Sequence, residues 1–286
     1  MNWSNLKEIL RKHGFSFRKS LGQNFLIDKN ILAQIVDAAN VNDKCGVLEI
    51  GAGAGVLTFE MAKRAKKVVT VEIDRALLPV LKENLIECDN ITVISSDILK
   101  IDINKLFAEH FADVGDIVVA ANLPYYITTP IIMKLLEESE RAVKSLTVMV
   151  QKEVANRMAA IAGTKDYGAL SVAVQYHATP RIVTEVSQHC FMPPPNVAST
   201  VVHLNVGKRI AVENEPLFFA LVKAAFGQRR KTLVNAVSNS SDIDISKDAI
   251  ISALEKMGKR ADVRGETFSV KDFAELSKYL SPFGGI

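Results

Sequence analysis

Val47-Leu48-Glu49-Ile50-Gly51-Ala52-Gly53-Ala54-Gly55 is the stretch on which the fold turns. Val47–Ile50 reads as a short buried strand. The glycines that follow, spaced G-x-G-x-G, let the chain turn sharply and bring backbone close to a ligand. A helical pattern, Val56–Ala65, takes over at once. Strand, glycine turn and helix in immediate succession suit a nucleotide-type β-α unit. The spacing is not G-x-G-x-x-G, and such a turn also occurs for purely structural reasons, so the flanking chain has to decide.

Working outward, β-branched runs alternate with helical patterns. Val68–Ile73, Ile91–Ser95, Ile117–Ala121 and Leu146–Val150 read as strands. They are nearly all apolar, as parallel strands covered on both faces are. Arg75–Glu87, Ile103–His110, Thr129–Glu138 and Glu153–Ile161 read as helices between and after them. The alternation predicts an α/β fold with a doubly wound, mostly parallel sheet. Two further strand-like runs, Leu170–His177 and Thr200–Val206, have no clear helix between them and are expected to close the sheet edge as an antiparallel pair. That makes seven strands.

Composition changes at Gly207-Lys208-Arg209. Beyond it Pro216–Phe226, Arg229–Ser238, Lys247–Met257 and Val270–Leu280 carry helical periodicity, with Pro216 in a first-turn position and Ser246 and Ser269 as N-caps. The expected division is residues 1–206 as the α/β domain, opening with a basic segment 1–30, and 207–286 as a small all-α domain. Residues 207–286 hold 13 Lys and Arg against 10 Asp and Glu, and residues 1–30 hold 6 against 2. Both ends are therefore basic around a mildly acidic middle, which suits a polyanion held by the ends.

With 286 residues and 48% hydrophobic content, the chain suits a soluble globular protein. No apolar run approaches the ~20 residues needed to span a bilayer, and the start lacks a leader pattern. Cys45, Cys88 and Cys190 are widely spaced, form no metal pattern and cannot all pair. Reduced thiols in the cytoplasm and no metal are expected.

The next two strands point to the ligand. Val68–Ile73 brings Glu72 about 20 residues beyond Gly51, the offset at which a carboxylate accepts both ribose hydroxyls. The third strand ends in Ser96-Asp97-Ile98, where an acid can accept from an adenine amine. Glu49 before G-x-G-x-G favours S-adenosylmethionine over NAD, since a cationic sulfonium needs no pyrophosphate-binding turn.

The fourth strand ends in Asn122-Leu123-Pro124-Tyr125-Tyr126. An aryl amine is a poor nucleophile because its lone pair is delocalised into the ring. The Asn122 side-chain oxygen and the Leu123 carbonyl can accept both amine protons, favour pyramidalisation and aim the lone pair. Pro124 stiffens the turn, and Tyr125 can stack on a base for ~1–3 kcal/mol. In Phe191-Met192-Pro193-Pro194-Pro195, Phe191 either covers the other face of an extruded base or packs inward. Arg18 and Lys19, in a basic-aromatic segment, and Arg229, Arg230 and Lys231, read as the start of a helix whose dipole would disfavour them, suit RNA or DNA phosphate.

Taken in order, Lys19–Leu26, Glu49–Gly55, Val71–Asp74, Ser96–Leu99, Asn122–Tyr126, Val150–Ala155, Pro193–Val197 and Phe226–Lys231 closely resemble the bacterial small-subunit ribosomal RNA adenine N6,N6-dimethyltransferase family, from about Phe15 to Leu280. The resemblance implies a Rossmann-like class I methyltransferase domain with a small helical RNA-binding domain. The implied substrate is two adjacent adenosines in the 3′-terminal hairpin loop of 16S ribosomal RNA, each dimethylated within an immature small subunit. It implies that Gln23, Asn24 and Leu26 close over the cofactor. Gly51, Gly53, Glu72, Asp97, Ile98 and Asn122 would bind or border it. Tyr125 and Phe191 would sandwich the adenine. A cytoplasmic monomer is expected. A resistance-type large-subunit (23S) dimethyltransferase and an assembly factor that acts mainly by binding are the competing readings.

Overall fold

The structure is a computed structural model that describes residues 3–18, 21–139, 143–207 and 210–283. It divides into two compact units, residues 1–155 with 179–207 and residues 156–178 with 208–286.

In the first unit α1 (Trp3–Lys12), β1 (Phe25–Leu26) and α2 (Lys29–Ala38) precede the β-α alternation. The alternation runs β2 (Cys45–Ile50), α3 (Val56–Ala62), β3 (Lys67–Glu72), α4 (Leu78–Asn84), β4 (Ile91–Ser95), α5 (Ile103–His110), β5 (Asp116–Asn122), α6 (Thr128–Glu138) and β6 (Val143–Gln151). Helix α7 (Lys152–Ala159) then crosses into the second unit, which holds α8 (Ala169–His177), and the chain returns to the first unit with β7 (Ala178–Val186), β8 (Phe191–Met192) and β9 (Ser199–Val206).

Among the described residues a seven-stranded sheet has the order β4-β3-β2-β5-β6-β9-β7. Strands β2 to β6 pair in parallel, and β9 runs antiparallel to β6. Every residue of β2 is buried, as a central parallel strand covered on both faces requires. Strand order reverses between β2 and β5. Such an open sheet binds ligands in the crevice at the carboxyl ends of the strands flanking that switch. Ile50, Glu72, Ser95 and Asn122, the last residues of β2, β3, β4 and β5, lie at that edge.

The expected edge strand 170–177 is instead helix α8. An apolar run of this length cannot be told from a buried helix by periodicity alone. The edge strand is β7, which contains Pro180; a proline without a ladder N–H is tolerated at an edge. The expected domain cut at 206/207 also left 156–178 with the sheet. They pack in the second unit, where Tyr167, Val172 and Tyr176 join Phe218, Phe268 and Phe273 in one core.

The second unit holds α9 (Glu215–Gly227), α10 (Leu233–Ser238), α11 (Lys247–Lys256) and α12 (Val270–Leu280). Side-chain oxygens of Asn214, Thr232, Ser246 and Ser269 accept from N–H groups of their helices' first turns, and Asp272 completes a capping box with Ser269. The Tyr167 hydroxyl donates to the Phe268 carbonyl at 2.8 Å. That lets a buried phenol satisfy its donor inside the core.

Candidate active site

Gly51 and Gly53 turn the chain at the end of β2 with φ of +75° and +58°, a region side chains disfavour. The Gly51 N–H donates to the Val71 carbonyl at 2.8 Å. The Gly53 N–H donates to Glu72 Oε2 at 2.8 Å, and the Asp74 N–H donates to Glu72 Oε1 at 2.8 Å. Both Glu72 oxygens are thus held by backbone, each with lone-pair capacity left for a hydroxyl. Burial pushes the Glu72 carboxyl above the usual carboxylate range, and those two N–H groups pull against it.

Behind the turn, Glu49 is 1% exposed and its Oε2 accepts from the Thr58 hydroxyl at 2.5 Å. Burial drives its carboxyl up to about 7, opposed by Thr58 and reinforced by the Glu72 charge. Asp97 caps the short helical turn Ile98–Lys100 by accepting from the Leu99 N–H at 3.0 Å through Oδ1. The cap occupies one oxygen and leaves the other for a ligand.

At the end of β5 the Asn122 Nδ2 donates to the Asn24 carbonyl at 3.0 Å. The Leu123 N–H donates to the Met149 carbonyl at 3.1 Å. Tyr125 is half-buried and its hydroxyl lies 2.5 Å from Ser199 Oγ. Burial raises the Tyr125 phenol above its ordinary value, with the Ser199 contact opposing. Tyr126 is exposed. Its phenol is raised by partial burial and then by the nearby Asp97 and Glu72 charges, so it overlooks the acid pair.

Most of these residues surround one cleft, with about 740 Å³ of space when the open solvent at its mouth is counted. Gln23, Asn24, Gly51, Gly53, Glu72, Asp97, Ile98, Asn122, Leu123 and Tyr125 all line it. Leu26 instead lines a smaller adjoining cavity with Glu49, sharing Gly51, Gly53 and Asn122 with the first. A glycine turn, a doubly held carboxylate and a strand-end asparagine around one cleft fit the adenosine and methionine parts of S-adenosylmethionine.

Two features differ from expectation. Phe191 is 2% exposed and packs in the core with Leu26, Ile31 and Val201; it is not among the lining residues of the larger cavity. Its pairing with Leu26 in the β1–β8 ladder turns the ring inward. The stretch Arg229–Lys231 is a turn after α9, since α10 begins only at Leu233 behind its Thr232 cap. Cations there follow a helix C-terminus, where the dipole favours them. Arg229 Nε donates to Glu266 at 3.1 Å and its Nη2 to the Lys165 carbonyl at 2.8 Å. Arg230 and Lys231 are exposed. Lys19 lies outside the described residues. Phe15, Phe17 and Phe25 of the basic-aromatic segment cluster on one another, with ring centroids 5.1–5.8 Å apart.

Sequence reasoning missed Asp74. Its carboxylate is fully buried and pairs with Arg18 Nη1 at 3.3 Å. It also accepts from Gln23 Nε2 at 2.7 Å and from the Ala76 N–H at 3.1 Å. The one sequence signal was an Asp before Arg75-Ala76-Leu77, which reads as a cap and nothing more.

The model of a family described as ribosomal RNA adenine dimethylase matches residues 14–279. The chain belongs to this family. The dimethylase is 53% identical over 280 residues to the ribosomal RNA small subunit methyltransferase A of Bacillus pumilus, covering 96% of this chain and 94% of that one. It is 52% identical to the protein of the same name from Geobacillus thermodenitrificans, covering 96% and 95%. Among solved structures it is similar to a dimethyladenosine transferase from Plasmodium falciparum, with TM-score 0.76 and 26% identity over 92% of this chain and 100% of that one. It is also similar to the 23S rRNA methyltransferase ErmE, with TM-score 0.68 and 25% identity over 90% and 100%. The dimethylase is therefore a class I methyltransferase whose methyl donor is S-adenosylmethionine. No described helix is long and apolar enough to cross a membrane.

Proposed function

We propose that this dimethylase methylates N6 of two adjacent adenosines in the 3′-terminal hairpin loop of 16S ribosomal RNA, within an immature small subunit. The carrying observation is the Asn122–Tyr125 segment at the mouth of a cavity that also holds Gly51, Glu72 and Asp97. About 50% identity to small subunit methyltransferases, against 25% to the large-subunit enzyme ErmE, favours the small subunit.

S-adenosylmethionine, when bound, supplies an electrophilic methyl group. Glu72 would accept from the ribose hydroxyls and Asp97 from the adenine amine of the cofactor, and the Gly51–Gly53 backbone would border the methionine end. Asn122 is oriented by Asn24: a carbonyl only accepts, so Nδ2 must face it, and Oδ1 is left to accept from the target amine. The Leu123 carbonyl takes the second N–H. With its N–H groups held, two before the first transfer and one before the second, the nitrogen lone pair would be directed at the methyl group, and each transfer would form one N–C bond, break one S–C bond and release one amine proton to water. Orientation and lone-pair exposure supply the rate, and no general base is called for.

Tyr125 stacks on the base, anchored by Ser199. Phe191 packs in the core and pairs with Leu26, which lines the adjoining cavity. Arg18 and Lys19 in one unit and Arg230 and Lys231 in the other contact phosphate, with Arg229 holding the turn that presents its neighbours. The protein acts as a cytoplasmic monomer. Incubation with labelled S-adenosylmethionine and unmethylated ribosomal subunits tests the reading: label enters small-subunit RNA, whereas label in large-subunit RNA alone supports the ErmE-like alternative. An Asn122→Ala protein that binds subunits and restores assembly in cells lacking the enzyme, without methylating, would make binding the main role.

A further inference from the structure

We propose that Asp74 is a positioning residue for methyl transfer, seating the Gln23 segment over the cofactor cavity and thereby setting how tightly S-adenosylmethionine is held. The proposal rests on the reading that this cavity is the cofactor site. Asp74 is not one of the residues that line it, yet it fixes two that do. Its N–H donates to Glu72 Oε1 at 2.8 Å. Its Oδ2 accepts from Gln23 Nε2 at 2.7 Å, while Gln23 Oε1 accepts from the Arg18 N–H at 2.7 Å. The Gln23 amide is thereby engaged at both ends, and both ends trace to one carboxylate and the segment it holds.

A fully buried carboxylate is costly unless its lone pairs are satisfied. Capping the turn Arg75–Leu77 accounts for the 3.1 Å bond from the Ala76 N–H to Oδ1. It does not account for Oδ2, which faces Gln23, or for Arg18 Nη1 at 3.3 Å from Oδ1. The two oxygens therefore do separable work. Asp74→Asn can keep the cap through its remaining oxygen, but it turns an amide nitrogen toward Gln23 Nε2, so that two donors face one another.

That polarity supplies a test with a rescue. In Asp74→Asn the Kd for S-adenosylmethionine, by calorimetry, and its KM in the methylation assay are expected to rise about tenfold, as for loss of a hydrogen bond to a charged acceptor. The kcat stays within about twofold. Gln23→Glu, which sets two carboxylates face to face, is expected to weaken binding similarly. The double variant Asp74→Asn/Gln23→Glu restores donor against acceptor and is expected to bind within about threefold of the parent; a residue with only a capping role gives no such rescue. Should Asp74→Asn melt too early to assay, Gln23→Ala removes the same bond from the other side and must show the same loss. Glu72→Gln serves as the control for the cavity. Weakened binding in Glu72→Gln with none in Asp74→Asn or Gln23→Ala overturns the role of Asp74 and leaves the cavity standing. Unchanged binding in all three overturns both.

Discussion

Asn122 at the end of β5 is tied to Asn24, 98 residues earlier in the chain, by a 3.0 Å hydrogen bond from its side-chain amide to the backbone carbonyl. The bond joins the segment that borders the cavity to the residue proposed to grip the target amine. It turns the amide nitrogen toward Asn24 and leaves Oδ1 as the acceptor for that amine. Asn122→Ala is expected to lower kcat by about 10²–10³, the scale seen when one preorganised polar group is removed from a transition state, with RNA affinity retained. Single-turnover methylation of small subunits measures it. A kcat within threefold of the parent removes Asn122 from the chemistry.

Tyr125 separates stacking from hydrogen bonding. Tyr125→Phe keeps the ring and loses the 2.5 Å contact with Ser199; it should cost about 1 kcal/mol of stability and little activity. Tyr125→Ala should raise KM for RNA by the equivalent of ~1–3 kcal/mol of stacking. Equal kinetic losses in the two variants would place the tyrosine's role in its hydroxyl.

Glu49 makes stability depend on pH. Its carboxyl is raised from 4.5 to about 7 by burial, so the native state holds this proton more tightly than the unfolded chain does. The contribution is fully present below about 4.5, is lost as pH rises toward about 7 and is constant above. At 1.36 kcal/mol per pH unit this amounts to roughly 3 kcal/mol. Glu49→Gln, neutral and of the same shape, should flatten that slope and be the more stable protein at pH 8. Urea unfolding at pH 5 and pH 8 measures it; an unaltered slope contradicts the buried-acid account.

Gly53→Ala tests the turn. A Cβ there would lie 3.1 Å from the Phe25 ring, at a φ of +58°. The backbone strain alone costs about 1–2 kcal/mol. Because the Gly53 N–H holds Glu72 Oε2, cofactor binding should weaken along with stability. A Kd for S-adenosylmethionine equal to the parent's would show that the turn tolerates the methyl group.

The salt dependence of RNA binding distinguishes neighbours in one basic run. Arg229 is committed to Glu266 and the Lys165 carbonyl, whereas Arg230 and Lys231 make no ion pair among the described residues. The pair Arg230→Ala/Lys231→Ala should reduce the slope of log K against log salt by roughly 2, and Arg229→Ala should leave it nearly unchanged while loosening the turn. The reverse pattern would assign the phosphate contact to Arg229.

Much of the cavity was legible because Glu72 and Asn122 end parallel strands and Gly51, Gly53 and Asp97 lie just beyond the ends of two others. β-branched runs mark those strands, and the fold delivers their carboxyl ends to one edge, so Glu72, Asp97 and Asn122 could be placed before any coordinate. What the pattern could not carry was partner choice. Nothing in Val71-Glu72-Ile73-Asp74 says that the second acid turns away from the cavity and takes Gln23. Nothing local distinguishes Phe191 packed inward from Phe191 facing a base; its pairing with Leu26 decides, across 165 residues of chain. Helix α8 was misread for a related reason. Its apolar residues satisfy a core shared with α9 and α12, and only that tertiary packing selects helix over strand.

The central claim is tested most directly by mapping the product. Small subunits from cells lacking the enzyme are incubated with the purified protein and S-adenosylmethionine, and the RNA is digested and sequenced by mass spectrometry. The account predicts two adjacent adenosines in the 3′-terminal hairpin loop, each carrying two methyl groups on N6, and no other new modification. Methylation elsewhere in the RNA, or at a position other than N6, would contradict it.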